Sequence, residues 1–218
     1  MYDKIRAYIS RYISLTEEET ALFTALLKPK SLRKRQYLLQ AGDVSRFECF
    51  VNTGCLRAYS LDDNGQEHVV QFAVEDWWIG DMYSFLTQTP ATYNIEALED
   101  SEVVLLDKAG YDRLLDSITK FDRMFRIIIQ NAFIAQQRRV IENMSLPAQE
   151  RYLLFQKRYP QLGQRLPQHQ VASYLGITPE SLSRVRRLAA DNYISKKLAS
   201  SPISPFPTTS ATQVEYYR

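Results

Sequence analysis

The 218-residue sequence predicts an α+β fold with three successive parts. These are an N-terminal antiparallel β-roll of the jelly-roll type with flanking helices, a long helix, and a C-terminal helix-turn-helix domain of the winged-helix type. Short runs rich in Val, Tyr and Phe, separated by turn residues, occupy residues 31–107 and predict the roll. After residue 107 the apolar residues recur at helical spacing, which predicts the helices.

The predicted strands are short and regularly spaced. They are QYLLQAG, FECFVNTG, CLRAYSL, EHVVQFAV and SEVVLLD. Asn64-Gly65 lies between two alternating runs and indicates a hairpin. Spacing of this kind favours a β-sandwich or a barrel-like roll over a parallel sheet.

The N-terminal residues predict a packing helix and not a targeting segment. Acidic and basic residues are interleaved through residues 1–15, and the chain has no run of about eighteen apolar residues that would span a membrane. Without a secretory signal, reduced core thiols are favoured over a disulfide between Cys49 and Cys55. Neither cysteine has a histidine close in sequence to activate it. We therefore expect a cytoplasmic protein that is not an enzyme.

The long helix is predicted from residues 111–144, which contain no proline. From residue 121 its apolar residues cover most of the helix circumference, and a stripe that wide is too broad for a single neighbour. Two interpretations are open: the helix packs on the roll and on a second copy of itself, or it is buried inside a monomer. The first predicts a homodimer in which the dimer helix contributes Phe125, Ile128, Ala132 and Ala135.

These features divide the chain into four segments. Residues 1–120 form an effector roll with an N-terminal helix, and residues 121–145 form the dimerisation helix. Residues 146–198 form the helix-turn-helix domain. Residues 199–218 are rich in Ser, Thr and Pro and predict a flexible tail.

Charge distinguishes the helical end from the rest. Residues 1–150 carry 17 Lys+Arg and 22 Asp+Glu, a balance of −5, whereas residues 151–200 carry 9 and 2, a balance of +7. A basic segment of this kind faces a polyanion, or it is an ordinary solvated face.

A helix-turn-helix is predicted from spacing and from capping residues. Ala172 is small enough for close helix packing, Gly176 four residues later can end the first helix, and Leu182 six residues after that returns to the core. Thr178 can cap the second helix with Pro179 at its first position.

The second helix has a face whose chemistry suits a DNA major groove. Arginine pairs with guanine, glutamate accepts from the cytosine amino group, and serine serves either purpose. The residues predicted to read bases are Glu180, Ser183, Arg184 and Arg187. The residues predicted to contact phosphates are Thr178, Arg186, Lys196, Lys197 and Arg165.

This order of elements resembles the CRP/FNR transcription regulators over roughly residues 10–190. The resemblance is carried by ASYLGITPESLSRVRR, by YLLQAGD and by FVNTGCLRAY. It implies that Glu180, Ser183 and Arg184 read bases and that residues 121–144 form the dimer helix. It also implies three partners, which are double-stranded DNA, a second copy of the chain, and RNA polymerase.

The resemblance does not extend to the family's cyclic-nucleotide contacts. Members that bind cyclic nucleotides carry Gly-Glu, then Arg-Ser or Arg-Thr eleven positions after the Gly, whereas this chain has Gly80-Asp81 and Ala91-Thr92. A buried phosphate without its arginine is costly, so we expect no tight binding of cyclic AMP.

The sequence predicts no cofactor and no metal. An iron–sulfur sensor of the family's type needs four cysteine ligands, and two are present. His68 and His169, the only histidines, indicate surface or core positions more than haem ligands. An effector pocket for an unknown, mostly apolar ligand is one interpretation, and aromatic side chains that only fill the roll are the other. The residues of that candidate pocket are Trp78, Gly80, Asp81, Tyr83 and Thr92.

One alternative function stays open at this point. The chain could be a ligand-binding signalling module whose helical end docks a protein instead of DNA. That alternative predicts weak DNA association that is insensitive to salt, whereas a DNA-binding regulator predicts a steep salt dependence.

Overall fold

The computed structural model describes residues 2–191, and the side chains of residues 2–188. The chain divides into two compact units, unit 1 (Met1–Ile128) and unit 2 (Ile129–Arg218). Lys196 and Lys197, a wing after residue 191, and the tail at 199–218 lie outside the described residues.

Unit 1 contains the predicted roll and its helices. Its elements are α1 (Asp3–Ile9), α2 (Glu17–Leu26), β1 (Leu27–Leu32), β2 (Tyr37–Leu39), β3 (Phe47–Thr53), β4 (Leu56–Leu61), β5 (Glu67–Ala73), β6 (Trp78–Ile79), α3 (Met82–Thr87), β7 (Asn94–Ala97), β8 (Ser101–Asp107), α4 (Lys108–Ser117) and the start of α5 (Lys120–Ser145).

The eight strands form two four-stranded antiparallel sheets, ordered β1-β8-β3-β6 and β2-β7-β4-β5. Cys49 and Val51 from the first sheet pack with Leu56, Ala58 and Ile95 from the second in one apolar core. Because successive strand residues point to opposite faces, these alternate positions of β3 fill the roll interior. The predicted roll is confirmed.

The helices cover the other face of the first sheet. Phe50, between Cys49 and Val51 on β3, belongs to a second apolar core with Ile5 of α1 and Leu114 of α4. Phe121 at the start of α5 is fully buried in the same core. The first sheet therefore carries apolar side chains on both faces.

The hairpin predicted at Asn64-Gly65 connects β4 to β5. Gly65 has φ +77°, a conformation that glycine adopts without a steric penalty. One carboxylate oxygen of Asp62 accepts hydrogen bonds from the backbone N–H groups of Asn64 and Gln66, both at 2.9 Å. The loop is thus longer than two residues, and Asp62 organises it.

Several elements differ from the sequence prediction. β1, β6 and β7 were not predicted, because β1 contains Pro29 and exposed lysines and the other two are short. β1 pairs only with β8, so Pro29 lies on an edge strand, where proline is tolerated. The helical run after residue 107 is broken between Ser117 and Lys120, where Ile118 enters the core.

Both cysteines are buried thiols that form no disulfide among the described residues. Cys49 and Cys55 are at most 1% exposed. Burial raises the pKa of the Cys49 thiol, and the neighbouring Glu48 adds to the shift.

Up to residue 191, unit 2 contains the rest of α5 followed by four shorter helices. These are α6 (Ala148–Arg158), α7 (Leu162–Arg165), α8 (Gln168–Tyr174) and α9 (Pro179–Asp191). Their common core includes Phe155 of α6, Val171 and Ala172 of α8, and Leu182 and Val185 of α9. Across residues 2–191, no helix combines the length and apolarity needed to cross a bilayer.

Glu48 is a buried acid on the helix-facing side of β3. It is 5% exposed, and no hydrogen-bond donor among the described residues reaches its Oε1. A Cβ at Gly80 would stand 2.6 Å from that oxygen, so the carboxyl group in its present position requires glycine there or would have to shift. Burial raises the pKa of Glu48 to about 8, and the charge of Asp81 adds to the shift. Glu48 is therefore mainly protonated at neutral pH.

We predict that Glu48→Gln removes a pH dependence of unfolding. The unfolded chain ionises this carboxyl near its ordinary pKa of about 4.3, whereas the folded chain holds the proton up to a pKa of about 8. Between these values the folded state binds more protons, so wild-type stability falls as pH rises, by at most about 1.4 kcal/mol per pH unit. Urea unfolding from pH 5 to 9 should show the variant gaining stability relative to wild type.

The matched control is Glu102→Gln, which changes an exposed glutamate on β8. Its free energy of unfolding should run parallel to the wild-type curve across this pH range. A parallel curve for Glu48→Gln as well would show that the buried carboxyl does not govern the pH dependence.

Candidate nucleic-acid interface

The connection between α8 and α9 has the hydrogen bonds of a Schellman motif. Gly176 has φ +64°, the left-handed conformation that ends α8. The N–H of Ile177 donates to the carbonyl of Ala172 at 3.0 Å, and the N–H of Gly176 donates to the carbonyl of Ser173 at 3.0 Å. The predicted role of Gly176 is confirmed, and the bonds fix where the chain leaves α8.

Thr178 caps α9. Its Oγ1 accepts a hydrogen bond from the backbone N–H of Ser181 at 3.2 Å. This satisfies one of the N–H groups that the start of a helix leaves unpaired. Pro179 follows as the first residue of α9, the position where the missing N–H of proline costs least.

The two faces of α9 divide as the sequence predicts. Leu182 and Val185 are 1% and 7% exposed and hold the helix against the core. The residues predicted to read bases all lie on the exposed side: Glu180, Ser183, Arg184 and Arg187. The spacing i, i+3, i+4 and i+7 places these four on one face. α9 therefore presents a continuous polar surface with two arginines and one carboxylate.

Local hydrogen bonds keep Glu180 charged. Its own backbone N–H and the hydroxyl of Thr178 lower the pKa of this exposed carboxyl below its ordinary value. The partial positive charge at the start of a helix favours the same ionised state. Glu180 is thus a hydrogen-bond acceptor throughout the neutral range.

Three of the five predicted phosphate contacts lie within the described residues. Arg186 and Thr178 are exposed, and Arg165 at the end of α7 is half-buried. Lys196 and Lys197 lie outside the described residues. The described members occupy α7, the turn and α9, all in unit 2.

Arg151 on α6 supports the turn and was missed by sequence reasoning. Its Nη1 donates to the carbonyl of Leu175 at 2.7 Å and lies 3.5 Å from Oδ1 of Asn143. Leu175 immediately precedes Gly176, so the arginine binds the last carbonyl before the left-handed residue. Arg151 is 24 positions from Leu175, and no local pattern in the sequence indicates the contact.

The end of α5 makes two further contacts within unit 2. Arg158 of α6 donates to both carboxylate oxygens of Glu142, at 2.5 and 3.1 Å, and both side chains are less than one fifth exposed. The guanidinium of Arg139 lies 4.8 Å from the ring centre of Tyr174 on α8. These pairs join α5 to α6 and to α8.

The residues predicted for the dimer helix occupy different environments. Phe125 is 7% exposed and its ring lies 5.0 Å from that of Tyr111, while Ile128 packs against the same core of unit 1. The ring of Phe125 is therefore enclosed and has little surface left for a second copy. Ala132 is exposed and Ala135 is half-buried.

A stripe of exposed apolar side chains, which we call the α5 stripe, continues along α5 in unit 2. Phe133 and Met144 are 61% and 84% exposed. Ile129 and Val140 belong to the same face, because the four residues repeat near the helical period. Large apolar groups in a row on one exposed face indicate a surface that binds another protein surface.

Two residues of the candidate effector pocket, Asp81 and Trp78, make contacts within unit 1. Asp81 is 2% exposed, and its two carboxylate oxygens accept from the backbone N–H groups of Ser84 at 3.0 Å and Thr92 at 3.2 Å. Trp78 packs against Phe50, with ring centres 5.4 Å apart. Asp81 thereby joins the start of α3 to the segment before β7.

The remaining pocket residues do not point to a phosphate site. The side chain of Tyr83 is 64% exposed on α3, and Thr92 is exposed. Residues 80–92 contain no lysine or arginine. This segment therefore offers no cationic side chain to pair with a cyclic nucleotide phosphate.

Metal-binding side chains are not grouped in the part of the chain that the structure describes. No cluster of three or more His, Cys, Asp or Glu suited to an ion occurs there. The ring of His68 lies 3.0 Å from a carboxylate oxygen of Asp62 in the β4–β5 loop, and His169 is exposed on α8.

Comparison with known proteins points to bacterial regulators. A family model described as the cyclic nucleotide-binding domain matches residues 29–117. The chain is 24% identical over 186 residues to the anaerobic regulatory protein of Haemophilus influenzae, covering 79% of this chain and 71% of the relative. It is 22% identical over 185 residues to the transcriptional activator protein Anr of Pseudomonas aeruginosa, covering 79% and 75%. FixK2 from Bradyrhizobium japonicum shares the fold, with a TM-score of 0.67 and 16% identity over 76% of this chain and 85% of that chain.

We predict that Gly176→Ala destabilises unit 2 by about 1–2 kcal/mol. An L-residue in the left-handed conformation is penalised by that amount, and the added Cβ would meet Nη1 of Arg151 at an ordinary 3.6 Å. The cost is therefore conformational and not a clash. Urea unfolding followed by tyrosine fluorescence or circular dichroism measures it.

Gly163→Ala is the matched control. Gly163 lies in α7, its φ is not positive, and nothing lies within 4 Å of a Cβ built there. Alanine favours helix by up to about 1 kcal/mol, so this variant should be neutral or more stable. Equal effects of the two substitutions would contradict the role assigned to the turn.

Proposed function

Because the chain belongs to the CRP/FNR family of regulators, we propose that it is a transcription regulator that binds double-stranded DNA sequence-specifically as a homodimer. The observation that carries the proposal is the exposed face of α9. Leu182 and Val185 hold the helix down, while Glu180, Ser183, Arg184 and Arg187 face solvent beside a Schellman turn. We propose the cytoplasm as its compartment, since that is where a bacterial regulator meets DNA.

Each exposed residue of α9 has a partner among the base edges of the major groove. Arg184 and Arg187 can each donate two parallel hydrogen bonds to a guanine. Glu180, which stays ionised, accepts from the amino group of cytosine, and Ser183 donates or accepts. Three of these residues lie in the first half of α9, the end that such helices insert into the groove.

Phosphate contacts would fix the position of α9 in the groove. We assign this role to Thr178, Arg186 and Arg165, which lie around the helix-turn-helix. Lys196 and Lys197 stay predicted phosphate contacts from the sequence. Such contacts add affinity without sequence preference.

The α5 stripe would be the dimer surface. A pair of α5 helices packed along Ile129, Phe133, Val140 and Met144 would cover these four exposed side chains in both copies. A two-fold dimer presents two reading helices to successive major grooves about 34 Å apart, on a near-palindromic site. Contact with RNA polymerase stays a prediction that rests on the family.

The roll would act without cyclic AMP. Asp81 already accepts two backbone hydrogen bonds, and no cation is present in residues 80–92 to neutralise a phosphate. We therefore propose that cyclic AMP does not bind tightly. Isothermal titration with cyclic AMP tests this part of the proposal directly.

Selection from random duplex DNA by the full chain tests the proposed function. We expect enrichment of a near-palindromic sequence with half-sites one helical turn, about 10 base pairs, apart. Failure to enrich any sequence would contradict the proposal and favour the alternative in which the helical end docks a protein.

We predict that Arg184→Ala weakens binding to the selected site by about 1–3 kcal/mol and relaxes the preference at one base pair. A repeat of the selection with the variant measures both effects. Arg186→Ala, on the same helix, is the control and should weaken binding to all sequences about equally. Recovery of the wild-type motif at full strength by Arg184→Ala would contradict its base-reading role.

We predict that the double variant Phe133→Ser, Val140→Ser raises the dimer dissociation constant by more than about tenfold. Burial of each such side chain contributes about 1.5–3 kcal/mol. Sedimentation analysis over a concentration series measures the constant. Arg138→Ala, an exposed residue on another face of α5, should leave it unchanged. A dimer of wild-type stability in the double variant would exclude the α5 stripe as the interface.

A further inference from the structure

Arg151 lies where three helices of unit 2 meet. It is half-buried on α6 and reaches the last carbonyl of the α8 end at Leu175, 2.7 Å away, and the side-chain oxygen of Asn143 on α5, 3.5 Å away. One guanidinium thus bridges the end of α5 and the turn that precedes α9.

The hydrogen bond from Arg151 pairs a backbone carbonyl at the end of α8, that of Leu175. The last carbonyls of a helix have no partner within the helix, and they carry a partial negative charge. In the Schellman motif, Ala172 and Ser173 receive the two backbone bonds. The carbonyl of Leu175 receives the charged guanidinium instead, and a charge-assisted bond of this kind is stronger than a neutral one.

The end of α5 is held against the same helices by two independent contacts. Glu142 receives both hydrogen bonds from Arg158 of α6, and Arg139 stacks on Tyr174 of α8. Arg139, Glu142 and Asn143 have the spacing i, i+3 and i+4, so they occupy one face of α5. The α5 stripe occupies the adjacent face, and Val140 and Asn143, spaced i and i+3, lie at the border between the two faces.

The last two turns of α5 carry two kinds of side chain on adjacent faces. Val140 and Met144 of the α5 stripe are exposed, and Arg139, Glu142 and Asn143 contact α6 and α8. The contact of Arg151 continues to the backbone of the turn at Leu175.

We infer that Arg151 is a positioning residue that fixes the turn before α9 to the end of α5. The position of α9, the helix proposed to read bases, would then be set by the position of α5, the proposed dimer helix. This inference rests on the proposed DNA-binding function. Arg151 would thereby affect DNA affinity without touching DNA. Removing it would loosen the turn and leave the number of phosphate contacts unchanged.

The salt dependence of binding separates a positioning residue from a phosphate contact. Each phosphate contact contributes about 0.9 to the slope of log K against log salt concentration. Loss of a phosphate-binding arginine lowers the slope by about that amount per protomer. Loss of a positioning arginine weakens binding at every salt concentration and leaves the slope unchanged.

The experiment compares Arg151→Gln, Arg151→Lys and the control Arg138→Gln, all in the full chain. Arg138 is an exposed arginine of α5 in the same unit, so its removal matches the loss of charge. Affinity for the selected duplex is measured over a salt series, and hydrogen exchange is measured for the amides of Gly176 and Ile177 without DNA. Dimer stability is measured in parallel.

We expect Arg151→Gln to bind the selected duplex about tenfold more weakly with an unchanged salt slope and an unchanged dimer dissociation constant. The two turn amides should exchange faster than in wild type. Arg151→Lys keeps one donor for Leu175 and should recover part of the affinity and of the amide protection. Arg138→Gln should leave amide protection as in wild type.

Two results would overturn the inference. A salt slope lowered by about one contact per protomer in Arg151→Gln would make Arg151 a phosphate contact. Unchanged exchange at Gly176 and Ile177 would show that it does not hold the turn, whatever its effect on DNA. The exchange measurement needs no DNA, so it decides whether Arg151 holds the turn even if the wild-type protein binds no specific sequence. That second result would refute the proposed DNA-binding function and leave the role of Arg151 in the turn untouched.

Discussion

The left-handed conformation of Gly176 is the constraint on which the candidate interface depends. It lets the N–H of Ile177 return to the carbonyl of Ala172, which ends α8 and sets the direction of the following chain. Thr178 then caps α9, and Leu182 and Val185 attach that helix to the core. The polar face of α9 is exposed as a consequence, since its opposite face is used for packing.

Two acidic side chains of unit 1 lie close to Gly80 and are buried in the fold. Asp81 accepts two backbone hydrogen bonds and is buried. The carboxyl group of Glu48 lies next to Gly80 and is buried, and burial raises its pKa to about 8. Residues 80–92 contain no lysine or arginine that could neutralise a phosphate.

The sequence predicts those features that depend on neighbours along the chain. Ala172, Gly176 and Leu182 lie within eleven residues, so caps, periodicity and turn chemistry all appear in one short window, and the two faces of α9 follow from its spacing. The strand-rich region and the hairpin at Asn64-Gly65 are local patterns of the same kind, and both are confirmed.

Contacts between distant residues could not be predicted in this way. Arg151 and Leu175 are 24 positions apart, and Arg158 and Glu142 are 16 apart, so each looks in the sequence like an ordinary charged or apolar residue of a helix. β1 is a strand only because β8 pairs with it, although Pro29 argues against one. The burial of Phe125 likewise depends on Tyr111, a residue of another helix.

The affinity of the full chain for its selected duplex, compared with a shuffled duplex of equal length over a range of salt concentrations, tests the central claim most directly. A dimer that reads bases with α9 and contacts phosphates around it should prefer the selected duplex by at least about a thousandfold. Its affinity should fall by about a thousandfold or more between about 50 and 200 mM salt. Equal affinity for the two duplexes, with little change over that salt range, would contradict the account.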